Sequence, residues 1–490
     1  MAPCNVPLYG EMKEPLLEPL FPDRSGGETL GVQLVRRLRS TIESGALPVG
    51  AKMPGTRELA KRLGLGRNTV TLAYEQLIAE GYLEARVGAG TFVCAAPVHH
   101  ATQRAAAAPK MMYRNDRASA LAAHFRLARG RGPLRPGMPS LAEFPRRTWV
   151  QCAKRALEVY AGDLGYAPAY GTPELREAVI DHVRRFRGMN VGSDQVIVVE
   201  GAQAALHLSA AVLTRPGDSI VVEDPCYALA RAAFELAQLR LLPLNVDERG
   251  IVTGELRAKA RAAFVTPAHQ FPLGGTLTLE RRLELLEWAR RHDAYIIEDD
   301  YDSEFTNRSR PLPALQSLDR DGRVVYVGSF SKTLAPALRA GYMIVPPYLV
   351  TAFRLARASS SLGVSLHLQQ TLALFIRGGH FVRHIGRMND IYDRRRGLLV
   401  AALAPLVSQG FRIGPAEVGL HLTIAAKGRF DDRAASIVDD SQRLVALSPL
   451  CVKRKDLRGF VLGFTNGENQ GIEAAASEVA RRLQARLRRT

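Results

Sequence analysis

Residues 328–332, with the sequence Gly-Ser-Phe-Ser-Lys, carry the clearest chemical potential in the chain, and they follow an apolar run typical of a β-strand. A lysine in such a position can form a Schiff base with an aldehyde, which makes Lys332 the candidate catalytic residue. Ser329, Ser331 and Arg339 would bind a phosphate group, the arginine through a charge-assisted pair. A surface lysine between serines would explain this segment if no other motif accompanied it.

Three other motifs follow predicted strands and indicate a site for a phosphorylated, electron-withdrawing ring. Asp299 lies where an apolar run ends in acidic residues, and a carboxylate there would keep a pyridine nitrogen protonated. The helix expected to begin near Ala202 and Gln203 offers backbone N–H groups and a dipole suited to a phosphate. Tyr227 follows the next β-run, so its ring can lie flat on an aromatic cofactor. Each motif alone fits an ordinary strand-to-helix turn or a core tyrosine, and only their combination indicates a cofactor.

These motifs lie within a long alternation of apolar runs and helical segments that begins near residue 131. The β-like runs are residues 196–199, 219–222, 262–265, 295–297 and 324–327. Alternation of this kind is typical of a parallel-rich sheet wrapped by helices. We therefore predict an α/β domain over residues 131–490.

Residues 29–94 have the pattern of a smaller module. Apolar positions at helical spacing predict three helices, the second of them closed by Gly64. Two β-like runs on either side of a glycine turn at Gly88 predict a hairpin. This order is typical of a winged helix-turn-helix, whose third helix presents polar side chains to the DNA major groove. Short three-helix modules also bind proteins, so the pattern by itself leaves both functions open.

The formal net charge of +18 favours a polyanionic partner such as DNA, with an arginine-rich composition as the alternative. Residues 29–93 contain nine basic and five acidic residues, and residues 95–160 contain twelve and three. Residues 95–130 are alanine-rich without a sustained helical period, which predicts a flexible basic linker. Residues 1–28 are expected to form an N-terminal extension.

The five cysteines are odd in number and lack the paired spacing of a zinc site or a disulfide framework. We therefore expect no metal site and a reducing, cytoplasmic location. No apolar run has the length of a membrane span or the character of a signal peptide, so no membrane association is expected.

Residues 31–93 resemble the GntR family of regulators. The motifs that carry the resemblance are residues 54–60 (Pro-Gly-Thr-Arg-Glu-Leu-Ala), 67–70 (Arg-Asn-Thr-Val) and 80–83 (Glu-Gly-Tyr-Leu). The residues that this resemblance places on double-stranded operator DNA are Arg57, Arg67, Asn68, Thr69 and the wing-tip Gly88. Of these, Arg57 and Thr69 are expected on phosphates rather than on bases. Any one of them could equally be solvated surface.

Residues from about 131 onward resemble fold-type I, class I aminotransferases, and the two-part organisation resembles the MocR subfamily of GntR regulators. The motifs are residues 170–176 (Tyr-Gly-Thr-Pro-Glu-Leu-Arg), 266–274 and 298–305. The implied fold is a multidomain chain, with an α+β winged helix-turn-helix followed by an α/β transferase fold and a smaller C-terminal α+β subdomain.

The resemblance implies that pyridoxal 5′-phosphate (PLP) is the cofactor and that Lys332 forms an internal aldimine with it. Asp299 would pair with the pyridine nitrogen, with Asp300 as the alternative because the spacing to Tyr301 is one residue shorter than in many aminotransferases. Tyr301 would donate to the phenolic oxygen, and Tyr227 would stack on the ring. The residues expected to hold the phosphate are Ala202, Gln203, Ser329, Ser331, Arg339 and, across the interface of a homodimer with swapped head-to-tail heads, Tyr170.

Three positions depart from the aminotransferase pattern. Aminotransferases have an Asn-Pro-Thr-Gly string whose asparagine bonds the cofactor ring, whereas residues 271–274 read Phe-Pro-Leu-Gly. The role of that asparagine is therefore vacant unless His269 or Gln270 fills it. Arg458 lies out of register with the arginine that clamps a substrate carboxylate, which argues against binding of an amino-acid substrate. Cys226 stands where a glycine is common in the regulators, and we expect a small buried residue rather than a reactive thiol.

We interpret the chain as a PLP-dependent transcriptional regulator that senses PLP itself or a small amino compound through aldimine chemistry at Lys332. One alternative is an aminotransferase with an accessory DNA-binding head, which would turn over an amino donor and a 2-oxo acid. Another is a cofactor-free scaffold that only dimerises the heads. At most, transaminase half-reactions are expected beside the regulatory role.

Overall fold

The computed structural model describes residues 20–23, 27–94, 132–159, 165–257, 259–305, 313–428, 430–438 and 442–487. The chain divides into two compact units, residues 1–114 and residues 115–490. The predicted linker at 95–130 and most of the predicted extension at 1–28 lie outside the described residues. No helix in the described part of the chain is long and apolar enough to cross a bilayer.

Three helices and a hairpin form the first unit, in the predicted order. Their bounds are Leu30–Glu43 (α1), Thr56–Leu63 (α2), Arg67–Ala79 (α3), Leu83–Arg86 (β1) and Gly90–Val93 (β2). Helix α2 ends at Gly64, whose φ of 62° is the left-handed conformation that residues with a side chain avoid. Strands β1 and β2 pair antiparallel, and Gly88 lies in the turn between them with a φ of 74°.

The core of the first unit is built from the apolar side chains that recur at helical spacing. Leu34, Leu59 and Val70, one from each helix, are completely buried. Burial of one such side chain stabilises the fold by about 1.5–3 kcal/mol. Leu20, which precedes α1, packs into the same core. A short part of the predicted extension therefore belongs to the folded head.

An eight-stranded sheet forms the centre of the second unit. Its strands are Val196–Val199 (β3), Ser219–Asp224 (β4), Arg240–Asp247 (β5), Gly250–Ile251 (β6), Ala262–Val265 (β7), Tyr295–Asp300 (β8), Val324–Ser329 (β9) and Gly341–Ile344 (β10). The order across the sheet is β3-β10-β9-β8-β7-β4-β5-β6. The pairs from β9 through β8, β7 and β4 to β5 are parallel, whereas β10 is antiparallel to both neighbours and β6 is antiparallel to β5.

Strands in the middle of this sheet are apolar throughout because both faces are covered. Phe264 of β7 packs into one core, and its neighbours Ala263 and Val265 pack into another, together with Trp288. All five predicted strands are present. Three of them, β4, β8 and β9, extend two or three residues beyond the predicted runs into polar residues at their carboxyl ends.

Helices surround the sheet and connect it to a smaller subdomain. They are Arg146–Val159 (α4), Pro173–Arg187 (α5), Ala202–Leu213 (α6), Ala228–Leu236 (α7), Leu279–His292 (α8), Phe330–Thr333 (α9), Val350–Ser360 (α10), Leu366–Arg377 (α11), His380–Leu403 (α12), Asp432–Ala435 (α13) and Asn469–Leu487 (α14). The C-terminal subdomain contains the antiparallel strands Phe411–Ile413 (β11), His421–Ala426 (β12), Val445–Ala446 (β13) and Gly459–Gly463 (β14), in the order β11-β12-β14-β13. Leu399 of α12 and Val479 of α14 share a core with Phe460 of β14. The predicted fold class, with a smaller α+β subdomain at the C-terminus, is confirmed.

Candidate functional site

A cavity of about 370 Å³ opens at the carboxyl ends of the parallel strands. Nine of the ten residues predicted to contact a cofactor line it, namely Lys332, Asp299, Tyr301, Tyr227, Ala202, Gln203, Ser329, Ser331 and Arg339. The remaining lining residues are Gly137, Leu229, Thr266, Phe271, Pro336, Leu420 and His421. Ligands of open α/β sheets bind at this edge because the loops that follow the strands converge there.

Lys332 is placed in the cavity by the short helix α9, which directly follows β9. Its ammonium group donates a hydrogen bond to the carbonyl oxygen of Gly137 at 2.6 Å. Burial lowers the pKa of Lys332, Asp302 and Asp299 partly oppose that shift, and the charge of Arg135 adds to it. A depressed pKa increases the fraction of the neutral amine, which is the nucleophilic form.

Asp299 and Asp300 point to opposite faces of β8 because side chains alternate along a strand. Asp299 lines the cavity, and its Oδ1 is buried without a hydrogen-bond partner among the described residues. Asp300 lies on the other face, 2.6 Å from Nε of Arg187, and accepts a hydrogen bond from the Tyr326 hydroxyl at 2.7 Å. Burial, followed by repulsion from Asp300, raises the pKa of Asp299 to about 7. Of the two candidates, Asp299 is therefore the one with a free oxygen in the cavity.

The opposite end of the cavity is formed by groups suited to an anion. Helix α6 begins at Ala202, directly after Gly201, whose φ is 99°. The guanidinium of Arg339 lies beside this glycine, 3.7 Å from the position that a Cβ would occupy. The hydroxyl of Ser329 accepts a hydrogen bond from the backbone N–H of Ser331 at 3.1 Å. Gln203 donates to the carbonyl of Leu229 at 2.9 Å, while its Oε1 is buried without a partner among the described residues.

Aromatic side chains form the walls between these two ends. Tyr227 immediately precedes α7, and its ring meets Phe271 edge-on, with centroids 5.8 Å apart. The Tyr301 hydroxyl donates to the carbonyl oxygen of His269 at 2.9 Å. His421, the first residue of β12, brings the C-terminal subdomain to the cavity wall.

Tyr170 is the one predicted cofactor residue that does not line the cavity of its own chain. Its ring packs under the guanidinium of Arg354, 4.1 Å from the ring centroid, and its carbonyl accepts a hydrogen bond from Val198. Tyr166, four residues earlier, is 89 % exposed. The predicted contact of Tyr170 across a subunit interface stays a prediction.

Residues at the three departures from the aminotransferase pattern have defined contacts in the structure. Gln270 is turned away from the cavity, and its amide donates to Glu223 at 3.1 Å and to the carbonyl of Pro225 at 3.0 Å. Arg458 donates to the carbonyl of Leu457 at 2.8 Å and lines a different cleft. Cys226 is completely buried, and burial raises the pKa of its thiol to about 12, in keeping with an unreactive core residue.

His269, Asp302 and His421 form a buried polar cluster beside the cavity. This grouping was not predicted from the sequence. Their potential ligand atoms lie within 4.8 Å of one another. Nδ1 of His269 already lies 2.9 Å from Asp302, and His421 bonds the carbonyl of Pro272 at 3.1 Å. Asp302 and His269 belong to motifs noted in the sequence, but no sequence signal brings His421 to them from the C-terminal subdomain.

The predicted DNA-contacting residues all belong to the head. Arg57 is the second residue of α2, and Arg67, Asn68 and Thr69 are the first three of α3. The side chains of Arg57, Arg67 and Asn68 are exposed, and Thr69 is half-buried beside Gly66. The wing turn is exposed as well. Their placement leaves these groups free to meet a nucleic acid.

Two family models match the two units. Residues 30–93 match the model for bacterial regulatory proteins of the gntR family, and residues 143–429 match the model for aminotransferase class I and II. The chain therefore combines a regulatory DNA-binding head with an aminotransferase-like domain. The aminotransferase class I and II family is PLP-dependent.

Relatives with both parts refine this assignment. The probable rhizopine catabolism regulatory protein MocR of Rhizobium meliloti is 40 % identical over 406 residues, which are 82 % of each chain. The regulator TauR of Rhodobacter capsulatus is 37 % identical, covering 79 % of this chain and 82 % of the relative. The pyridoxine biosynthesis regulator PdxR of Corynebacterium glutamicum is 30 % identical, covering 92 % and 95 %. The chain belongs to the MocR-type transcriptional regulators of the GntR family.

Two solved structures similar to this chain are those of aminotransferases. A Pyrococcus horikoshii kynurenine aminotransferase has a TM-score of 0.69 at 25 % identity, covering 75 % of this chain and 95 % of the enzyme. A multiple substrate aminotransferase of Thermococcus profundus has a TM-score of 0.69 at 26 % identity, covering 78 % and 97 %. The second unit is therefore of the fold-type I aminotransferase class.

Proposed function

We propose that this regulator binds PLP in the cavity around Lys332 and controls transcription in response to PLP itself or to a small amino compound that enters the cavity. The observation that carries the proposal is that Lys332 and Asp299 line one cavity, and that the buried Oδ1 of Asp299 has no hydrogen-bond partner among the described residues. An unsatisfied buried acceptor is costly to a folded protein, by about 1–3 kcal/mol, and a ligand that donates a hydrogen bond there recovers this cost.

The residues present fit PLP at every part of that molecule. Asp299 would hold the pyridine nitrogen, Tyr301 the phenolic oxygen, and Tyr227 the face of the ring. Bound PLP supplies an aldehyde and an electron-withdrawing ring. The phosphate would be held by Arg339, Ser329, Ser331 and the first N–H groups of α6, at Ala202 and Gln203.

Lys332 would act as the amine that meets the aldehyde, and the carbonyl of Gly137 holds that amine in place at 2.6 Å. An amino compound competes with Lys332 for the same position. Such competition changes transcription only if the ligand has different affinities for two arrangements of the protein. The C-terminal subdomain is the element placed to respond, because Leu420 and His421 line the cavity.

At the head, α3 would enter the major groove, with Arg67 and Asn68 near base edges and Arg57 and Thr69 on phosphates. The wing-tip Gly88 would lie close to the DNA backbone. The exposure of Arg57, Arg67, Asn68 and Gly88 on one small module supports this assignment.

We also propose a homodimer, because Tyr170 does not reach the cavity of its own chain. Light scattering should then give about twice the chain mass of 53.6 kDa. Comparison of Tyr170→Phe and Tyr166→Phe for PLP affinity identifies which tyrosine, the packed one or the exposed one, contacts the partner's phosphate site.

An absorbance spectrum of the purified protein beside Lys332→Ala tests the cofactor proposal. Wild type is expected to show a visible band that the variant lacks, and the band should shift when a recognised amine is added. Absence of the band after incubation with PLP would leave only a DNA-binding scaffold. Sustained turnover of an amino donor with a 2-oxo acid would instead favour an enzyme, which the position of Arg458 outside the cavity argues against.

A further inference from the structure

We propose that His269, held by Asp302, positions the hydroxyl of Tyr301 and so replaces the asparagine that aminotransferases have at the position of Phe271. The inference rests on the proposed binding of PLP. It assigns to His269 a positioning role, exerted through the tyrosine and not by direct contact with the cofactor.

The need for such a residue follows from the two side chains that fail to supply a donor. Phe271 lines the cavity with an apolar ring. Gln270 is buried, and its amide donors are engaged by Glu223 and by the backbone carbonyls of Pro225 and Phe271. Among the described residues that line this side of the cavity, Tyr301 carries the hydroxyl that can take over the asparagine's role as a donor, by exchanging its hydrogen bond to the carbonyl of His269 for one to a ligand.

His269 lies against Tyr301 in a geometry that can orient the hydroxyl. The two rings stack with centroids 5.9 Å apart and an interplanar angle of 28°. The Tyr301 oxygen is 2.9 Å from the carbonyl oxygen of His269 and 3.1 Å from its Nδ1. In the structure the carbonyl accepts the phenolic hydrogen. When that hydrogen turns to a ligand instead, a hydrogen on Nδ1 can be donated to the phenolic oxygen and hold it in place.

Asp302 determines which of these roles Nδ1 takes. Its carboxylate oxygens lie 2.9 and 3.2 Å from Nδ1 of His269, and the closer one also accepts the backbone N–H of Leu420 at 3.1 Å. Both side chains are only 1 % exposed. Because a carboxylate accepts hydrogen bonds, it places the imidazole hydrogen on Nδ1, where Tyr301 can share it.

The backbone at Gly419 packs directly against the pair. A side chain on Gly419 would lie 2.1 Å from Nδ1 of His269 and 2.4 Å from Asp302, and Gly419 has a φ of 80°. Nε2 of His269 has no hydrogen-bond partner among the described residues. The ring is thus anchored through Nδ1, the atom that faces both Asp302 and Tyr301.

The test uses the full-length protein loaded with PLP and follows the visible band during a pH titration. Loss of a positioned Tyr301 donor should move the pH midpoint of the band upward by about one unit, a tenfold change in the proton equilibrium. We expect this shift in Asp302→Asn and in His269→Gln, with a several-fold weaker affinity for PLP. In a Tyr301→Phe background, Asp302→Asn should add no further shift, because the two act through one hydroxyl.

A matched control is available in His182 and Glu304, a second histidine–carboxylate pair 3.2 Å apart that does not line the cavity, with side-chain exposures of 5 % and 12 %. Glu304→Gln should change the thermal midpoint without moving the spectral midpoint. If Asp302→Asn unfolds the protein, the spectral midpoint is measured in His269→Gln alone.

Three results would overturn the inference. They are an unchanged spectral midpoint in Asp302→Asn and His269→Gln, a shift that adds to that of Tyr301→Phe, and a metal ion retained stoichiometrically by wild type but lost in Asp302→Asn. A lysine-dependent band whose pH midpoint is unchanged in Asp302→Asn and His269→Gln refutes this inference but not the proposed function. Absence of any band in the wild type refutes both.

Discussion

Asp299 and Asp300 are adjacent acids on opposite faces of one strand. Their substitutions by asparagine should therefore impair different properties, cofactor affinity in Asp299→Asn and stability in Asp300→Asn. In Asp299→Asn, the cofactor loses a hydrogen bond to a charged group, a contact worth about 1.5–3 kcal/mol. The dissociation constant of PLP should therefore rise about 10- to 100-fold, while the unfolding free energy of the cofactor-free protein is retained or increased.

Asp300→Asn should instead damage the fold. Asp300 lies 2.6 Å from Arg187 with both side chains nearly inaccessible, and it also accepts the Tyr326 hydroxyl. Removing one partner of a buried ion pair costs about 3–5 kcal/mol because the other charge stays buried. The expected pattern is a lower urea midpoint with little change in PLP affinity of the folded fraction.

The assay is a fluorescence titration with PLP at neutral pH beside urea unfolding of the same cofactor-free samples. The comparison between the two variants is the decisive quantity, since a general effect of removing negative charge would appear in both. If Asp300→Asn weakens PLP binding more than Asp299→Asn at unchanged stability, the assignment of the two faces is refuted.

Four further outcomes are expected. Burial raises the pKa of Asp299 to about 7, so folding favours its protonated form. The unfolding free energy of the cofactor-free wild type, compared with that of Asp299→Asn, should therefore be highest below pH 4 and fall by about 4 kcal/mol as the pH rises from 4 to 7. Urea midpoints measured across that range check this, and parallel pH curves for the two proteins would contradict it. Arg458→Ala should leave spectral titrations with amines unchanged, because Arg458 lies outside the cavity; a tenfold weaker response would show that it reaches the ligand. Cys226, with a pKa of about 12, should resist thiol reagents until the protein unfolds, as mass spectrometry of labelled peptides can show; rapid labelling of the native protein would count against its burial. The last outcome concerns binding to duplexes that the wild type selects from a random library. Arg67→Ala should weaken binding by about 1–3 kcal/mol and alter the base preference, whereas Arg57→Ala should weaken binding to all sequences evenly and lower the salt dependence of the binding constant by about one released ion. The reverse pattern would exchange the roles of the two arginines.

Much of the fold was predictable because its signals are local. The central strands are buried on both faces and read as continuous apolar runs, and Gly64 ends α2 through its own left-handed backbone. The carboxyl ends of the strands were less predictable. Residues such as Asp224 continue β4 beyond its apolar run because distant backbone N–H groups satisfy the carboxylate, namely those of residues 452–454.

The sequence by itself determined the two-part organisation, the family, and the set of residues around Lys332, because spacing within short motifs carries that information. Tertiary structure decided which neighbour acts where. Alternation along β8 separates the two acids, and the packing of the sheet decides that Asp300 is the one that faces Arg187, more than a hundred residues earlier. Gln270 is likewise bonded to Glu223 instead of facing the cavity. His421 reaches His269 only after the C-terminal subdomain packs on the sheet. These contacts join residues distant in sequence, and such pairings depend on how strands and subdomains pack rather than on any local pattern.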